Sequence, residues 1–132
     1  MRKIVFIGSG AIATAIGDVL AEKNKDEIYL LSIENEVIEM VNNLHVNTIY
    51  FPKYALSENL RATDDKNVLH EANVIFLAIP STAVVAYLKE NKDFINPTAL
   101  IVNLAKGFGS GDEIIPDSIK SFIFNPFMTL KG

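Results

Sequence analysis

A chain of 132 residues, 49% of them hydrophobic, has room for one domain with a sizeable core. Sixteen acidic residues against twelve basic ones, a net charge of −4, leave no basic stripe for nucleic acid or an anionic membrane surface, so an anionic ligand must be held by local amides and single lysines. The absence of cysteine excludes a disulfide framework, a thiolate nucleophile and a thiolate metal site, and it fits a reducing, cytoplasmic location.

Ile4 to Ile7 is an unbroken β-branched and aromatic run, which suits a strand covered on both faces of a parallel sheet. It breaks at Gly8. Gly8, Gly10 and Ala13 then give Gly-x-Gly-x-x-Ala spacing, and Ala11 to Glu22 follows as a helix former interrupted only by Gly17. Strand, glycine turn and helix are the context in which a dinucleotide's pyrophosphate sits on exposed helix amides, where unpaired N–H groups and the macrodipole favour anions. Gly8 permits the turn, Gly10 lets backbone approach the phosphates, and Ala13 lets helix and strand pack closely, so the candidate cofactor contacts here are Gly8, Ser9, Gly10, Ala11, Ile12 and Ala13. Arg2, Lys3 and the apolar run before Ala13-Thr14-Ala15 imitate an export signal. Gly8-Ser9-Gly10 cuts that run, and no apolar stretch reaches the roughly 18 residues that span a bilayer.

Asn24 to Glu27 reads as a polar turn and Ile28 to Leu31 as a second strand, closing a βαβ unit. Its end meets the adenosine ribose in dinucleotide folds, which makes Ser32, Ile33 and Glu34 candidates for that contact. No arginine or lysine stands there to receive a 2′-phosphate, so the stretch leans towards NAD over NADP. Glu34 fits a second reading equally, as a first-turn residue of a helix over Glu34 to Asn42. Asn42 to Asp65 is the least regular part of the chain, with a short third strand at Asn59 to Thr63, and Asp65 to Ala72 reads as a helix.

Val74 to Ile79 is the strongest strand signal and ends at Pro80. Pro80 and Ser81 fall where a 3-2-1-4-5-6 sheet brings its fourth strand to the nucleotide, and Ser81 or Thr82 also fits as the cap of a helix running to Lys89. A fifth strand, Leu100 to Leu104, runs into Ala105-Lys106-Gly107. That places an ammonium at the mouth of the same crevice, where it can hold a phosphate or polarise a carbonyl oxygen. Glu113 to Phe122 reads as a helix and Phe122 to Leu130 as a sixth strand. His45 and His70 lie far apart and have no clustered ligands, so no metal is expected. The expected fold is α/β, a doubly wound, mostly parallel Rossmann-type sheet with helices on both faces.

The whole chain resembles the N-terminal nucleotide-binding domain of the NAD(P)-dependent glycerol-3-phosphate dehydrogenases. The resemblance rests on His45-Val46-Asn47 with Tyr50-Phe51-Pro52, on Leu56 to Thr63, on Ala78-Ile79-Pro80-Ser81 and on Asn103-Leu104-Ala105-Lys106-Gly107. It implies reversible reduction of dihydroxyacetone phosphate to glycerol 3-phosphate, feeding phospholipid synthesis. It also implies that Lys106 contacts substrate beside the nicotinamide and that Gly132 opens a further substrate loop. The chain departs from the family at Ala11, Ile12 and Ala13, where a polar residue, an aromatic and a third glycine are usual.

The expected partner is a small phosphorylated substrate, with a homodimer as the full-length assembly. A helical substrate domain carrying the family's proton-transfer lysine is expected after residue 132, so this chain alone is expected to be inactive. Two other readings stand beside this one. A β-hydroxyacid or ketopantoate type reductase would share the glycine turn. A non-catalytic dinucleotide sensor would need only the first site and would have no use for Lys106.

Overall fold

A computed structural model describes residues 2–23, 25–52 and 54–104. Strand β1 is Lys3–Ile7, and helix α1, Ala11–Lys23, follows the glycine turn. Next come β2 (Glu27–Leu31), the short helix α2 (Asn35–Glu39), a π-turn over Met40–Leu44 and β3 (Leu60–Thr63). A 3₁₀ turn at Lys66–Leu69 leads to β4 (Val74–Leu77), helix α3 (Ser81–Glu90) and β5 (Leu100–Asn103). The five strands form one parallel sheet in the order β3-β2-β1-β4-β5.

The order reverses at β1, whose neighbours β2 and β4 are reached by crossovers in opposite directions, and a ligand crevice opens at the carboxyl ends of strands at such a point. The alternation of side chains along each strand divides the core between the two faces. Ile4 and Phe6 of β1 join Ile28, Leu30, Leu60 and the helix residues Ala13, Ala21, Val37 and Val41. Val5 and Ile7 face the other way, with Ile75, Leu77, Leu69, Val84 and Leu88. Both faces are therefore covered, and each fully buried Leu, Ile or Phe contributes about 1.5–3 kcal/mol. Phe6 and Phe76, opposite each other in the β1–β4 register, stack with ring centroids 4.5 Å apart.

Several boundaries differ from the sequence reading. The helix expected over Glu34 to Asn42 starts at Asn35 and widens after Glu39 into the π-turn, which closes at His45 in the left-handed region (φ 57°, ψ 44°). Within that turn the Asn42 amide pairs with the backbone of Ala62, accepting from its N–H at 2.8 Å and donating to its C=O at 2.9 Å. A side chain thus closes part of the open edge of β3. The helix expected over Asp65 to Ala72 is one 3₁₀ turn, which the Asp65 carboxylate caps by accepting from Asn67 N–H; past it the Leu69 and Ala72 carbonyls accept from the Asn96 backbone and side-chain amides instead of from a continuing helix. Strand β4 stops at Leu77, although Ala78 still donates to Ile7 C=O.

The capping assigned to Ser81 or Thr82 is corrected as well. Pro80 holds the position before the helix, with φ −56° and ψ 142°, and makes no side-chain cap; Ser81 is already the first helical residue. The proline's fixed φ sets that start, and its carbonyl accepts from Ala83 N–H at 2.8 Å. The expected helix at 113–122 and sixth strand at 122–130 lie outside the described residues.

Candidate functional site

The glycine turn is built from positions with different constraints. Gly8 has φ +118°, and a Cβ there would lie 2.6 Å from the Ala78 carbonyl oxygen, so only glycine fits between β1 and the end of β4. Gly10 is the reverse case, since a Cβ there meets nothing within 4 Å. The open space it faces is a cleft of about 400 Å³ lined by Gly10, Ala11, Ile12, Ala13, Ala78, Ile79, Pro80 and Leu104. The first turn of α1 carries no acidic side chain, so nothing in it repels an anion at the helix N-terminus. Ile12 stands at the rim, 56% exposed. Close packing of α1 on the sheet involves Gly17 as well as Ala13, because a Cβ at Gly17 would come within 3.3 Å of Leu30 and Leu60 side-chain carbons.

On the β2 side the turn is held by buried polar groups. Ser9 and Ser32 are both buried, and their hydroxyls lie 2.7 Å apart in a hydrogen bond. The Ser32 hydroxyl also accepts from Glu34 N–H at 3.0 Å, which fixes the backbone where β2 ends. Asn47 is fully buried; its amide donates to Ser9 C=O at 3.2 Å and to the Thr14 hydroxyl at 2.9 Å. From the same loop the Tyr50 hydroxyl donates to the Glu34 carboxylate at 2.9 Å, and that bond is the main reason the phenol's pKa is raised. A buried amide, two serine hydroxyls and a threonine thus link the turn, the exit of β2 and the 45–52 loop, each group satisfied by the next.

The structure brings together, around one crevice, most of the residues singled out from the sequence. Gly10 to Ala13 and Pro80 line the cleft. Gly8 shapes its floor, Ser9, Ser32 and Glu34 form the polar flank, and Ile33 stands beside them 92% exposed. Ser81 opens α3 behind Pro80. Glu34 sits just ahead of α2 and makes no side-chain cap, so the first-turn reading gives way to a carboxylate held by Tyr50. His45 lines a separate cavity at the β3 edge with Asn42 and Arg61. Lys106 and Gly132 lie outside the described residues. Sequence reasoning did not single out Asn47, Thr14 or Tyr50 for their own chemistry. The signal was the polar cluster Asn47-Thr48 in an otherwise irregular stretch, which carries no periodicity to interpret.

A parallel sheet reversing at β1, a glycine turn at its first strand-to-helix junction and an anion-compatible cleft at the switch point define a dinucleotide-binding domain of the Rossmann type. The chain belongs to the family described as NAD-dependent glycerol-3-phosphate dehydrogenase N-terminus, which it matches over residues 3–130. It is 35% identical over 132 residues to the glycerol-3-phosphate dehydrogenase [NAD(P)+] of Halothermothrix orenii, covering 98% of this chain and 38% of the relative. To the enzyme of the same name from Bacillus subtilis it is 32% identical over 120 residues, covering 90% of this chain and 33% of the relative. The crystal structure of glycerol-3-phosphate dehydrogenase from Coxiella burnetii superposes with a TM-score of 0.77 at 27% identity, covering 92% of this chain and 38% of that one. The chain therefore spans roughly a third of the length of the curated relatives it matches. NAD or NADP is the cofactor of this domain, and the open side of Gly10 and the uncharged first turn of α1 fit its pyrophosphate. Among the described residues, no helix is long and apolar enough to cross a membrane.

Proposed function

We propose that this chain is the cofactor-binding domain of an oxidoreductase that reversibly reduces dihydroxyacetone phosphate to sn-glycerol 3-phosphate with NAD(P)H, in glycerophospholipid synthesis. The observation that carries the reading is the cleft at the switch point, with open space at Gly10 and the N-terminus of α1 as its anion-facing wall, in a chain of this family. When bound, the reduced nicotinamide supplies the hydride. The chain's own residues bind and orient. Backbone from Gly8 to Ala13, with Ser9, Ala11 and Ile12, receives the pyrophosphate on the first amides of α1. Ser32, Ile33 and Glu34 meet the adenosine ribose, and the lack of a cation there favours NAD. Pro80 and Ser81 border the nicotinamide half, while Lys106 and Gly132 hold the substrate's phosphate or its developing oxyanion.

Catalysis needs cofactor, substrate and a proton donor held together away from water, and proximity alone accounts for about 7–11 kcal/mol of such a barrier. This sequence offers one lysine for that work. The family resemblance assigns the proton-transfer lysine and most of the substrate pocket to a helical second domain, and a homodimer is the proposed full-length assembly. Titrating this protein separately with NADH, NADPH and dihydroxyacetone phosphate, then assaying it with NADH and dihydroxyacetone phosphate together, tests both parts. NADH binding without turnover is the expected result. Turnover by this chain alone at an ordinary rate of about 10 s⁻¹ would refute the need for further residues, and binding of neither nucleotide would refute the reading itself.

A further inference from the structure

We propose that Tyr50 is a specificity-setting residue: by holding the Glu34 carboxylate at the exit of β2, it favours a dinucleotide with a free 2′-hydroxyl over one with a 2′-phosphate. The inference rests on the cofactor-binding reading above and adds a residue that lies on neither β2 nor the glycine turn. Tyr50 reaches Glu34 from a loop that is fixed at its base. Fully buried Asn47 bonds the glycine turn through Ser9 C=O and the Thr14 hydroxyl, its side-chain oxygen accepts from Tyr50 N–H at 3.4 Å, and its carbonyl accepts from Phe51 N–H at 2.7 Å. At the other end of the contact, the Ser32 hydroxyl fixes the Glu34 amide. The phenol and the carboxylate, 2.9 Å apart, are thus each anchored through hydrogen bonds to the same turn.

The chemistry follows from what a carboxylate accepts. An ionised Glu has about four acceptor positions, and one phenol takes one of them, leaving the others for a ribose hydroxyl. Without that phenol a glutamate at a strand exit samples several rotamers, and a charged group that can swing away neither receives the 2′-hydroxyl well nor repels a 2′-phosphate well. A phenol is a neutral donor at pH 7 without help, and the bond to Glu34 raises the pKa of Tyr50 further above that range.

The test is dissociation constants for NADH and NADPH, from calorimetry, on the parent protein, Tyr50→Phe, Glu34→Ala and the double variant. The parent binds NADH more tightly, and Tyr50→Phe narrows the NADH-over-NADPH ratio about threefold to tenfold, the worth of one ordinary solvent-exposed hydrogen bond, without changing the melting temperature. Glu34→Ala, which removes both the charge and the acceptor for the phenol, narrows it further, and adding Tyr50→Phe to Glu34→Ala changes nothing more, because the two residues act through one bond. An unchanged ratio in Tyr50→Phe, tighter NADPH binding by the parent, or additive effects in the double variant would each overturn the proposal and leave the cofactor reading standing. A parent that binds neither nucleotide overturns both.

Discussion

On one side of the α1 N-terminus the crevice is walled by Ala78, Ile79, Pro80 and Leu104, none of which offers a charged side chain. On the other side stand Ser9, Ser32, Glu34, Asn47 and Tyr50, joined by hydrogen bonds of 2.7 to 3.4 Å. The apolar wall is set by shape, through a strand that stops before a proline and a glycine whose missing Cβ lets Ala78 approach. The polar wall is set by direction, because each buried donor or acceptor has one geometry in which it is satisfied. Shape tolerates a small shift of the whole wall. A buried hydrogen-bonded chain does not, since one deleted partner leaves the next without its bond.

That contrast breaks first at Gly8. Gly8→Ala combines a left-handed backbone with an overlap on the Ala78 carbonyl, and it should cost about 2–5 kcal/mol, measured as a fall in the urea midpoint. A loss under about 0.5 kcal/mol would mean that the β1–β4 seam is looser than its geometry. Asn47→Ala probes the polar wall. It removes the donor to Ser9 C=O and Thr14 and the acceptor for Tyr50 N–H, for an expected loss of about 1–3 kcal/mol and a weaker NADH affinity. Stability and affinity both at parental values would show that the loop is not held by this amide.

Gly10→Ala should separate the two kinds of constraint most cleanly. Its Cβ meets open space and its φ is not positive, so stability should stay level or rise by up to about 1 kcal/mol while NADH affinity falls. NADH bound as tightly as by the parent would move the pyrophosphate elsewhere. A further effect, confined to alkaline pH, lies outside both walls, at Tyr87. Burial pushes this phenol up to about 12, with the Glu90 charge adding to the rise. A raised phenol contributes stability that is complete below the unfolded value near 10 and is lost as pH climbs towards 12. Urea midpoints should therefore fall from pH 9.5 to pH 11.5, and Tyr87→Phe should flatten that part of the curve; an equally steep fall in the variant would assign the alkaline loss to other groups.

The apolar wall was legible in the sequence because its signals are local. A β-branched run, a glycine spacing and a proline stop each have one physical meaning whatever lies elsewhere in the chain, and β1, α1, β2, β4 and β5 fall within a residue or two of where periodicity put them. Local pattern failed where side chains bond to backbone. The Leu69 and Ala72 carbonyls bond to Asn96 where a longer helix was expected, and the π-turn carrying Asn42 replaced the end of another, because those bonds compete with the regular ladder.

The sequence by itself determined the class of the fold and the location of the anion-facing turn. Strand burial and glycine placement follow from residue type, and a parallel βαβ unit closes in only one hand. Only the tertiary structure decided that Gly8 and Gly10, two residues apart in one motif, face opposite constraints, one against a carbonyl of β4's exit and one into the open cleft. It alone decided that Asn47, separated by 38 residues from Ser9, supports the same turn. Hydrogen bonds between distant loops leave no periodicity in a chain, and their partners become neighbours only once the sheet is assembled.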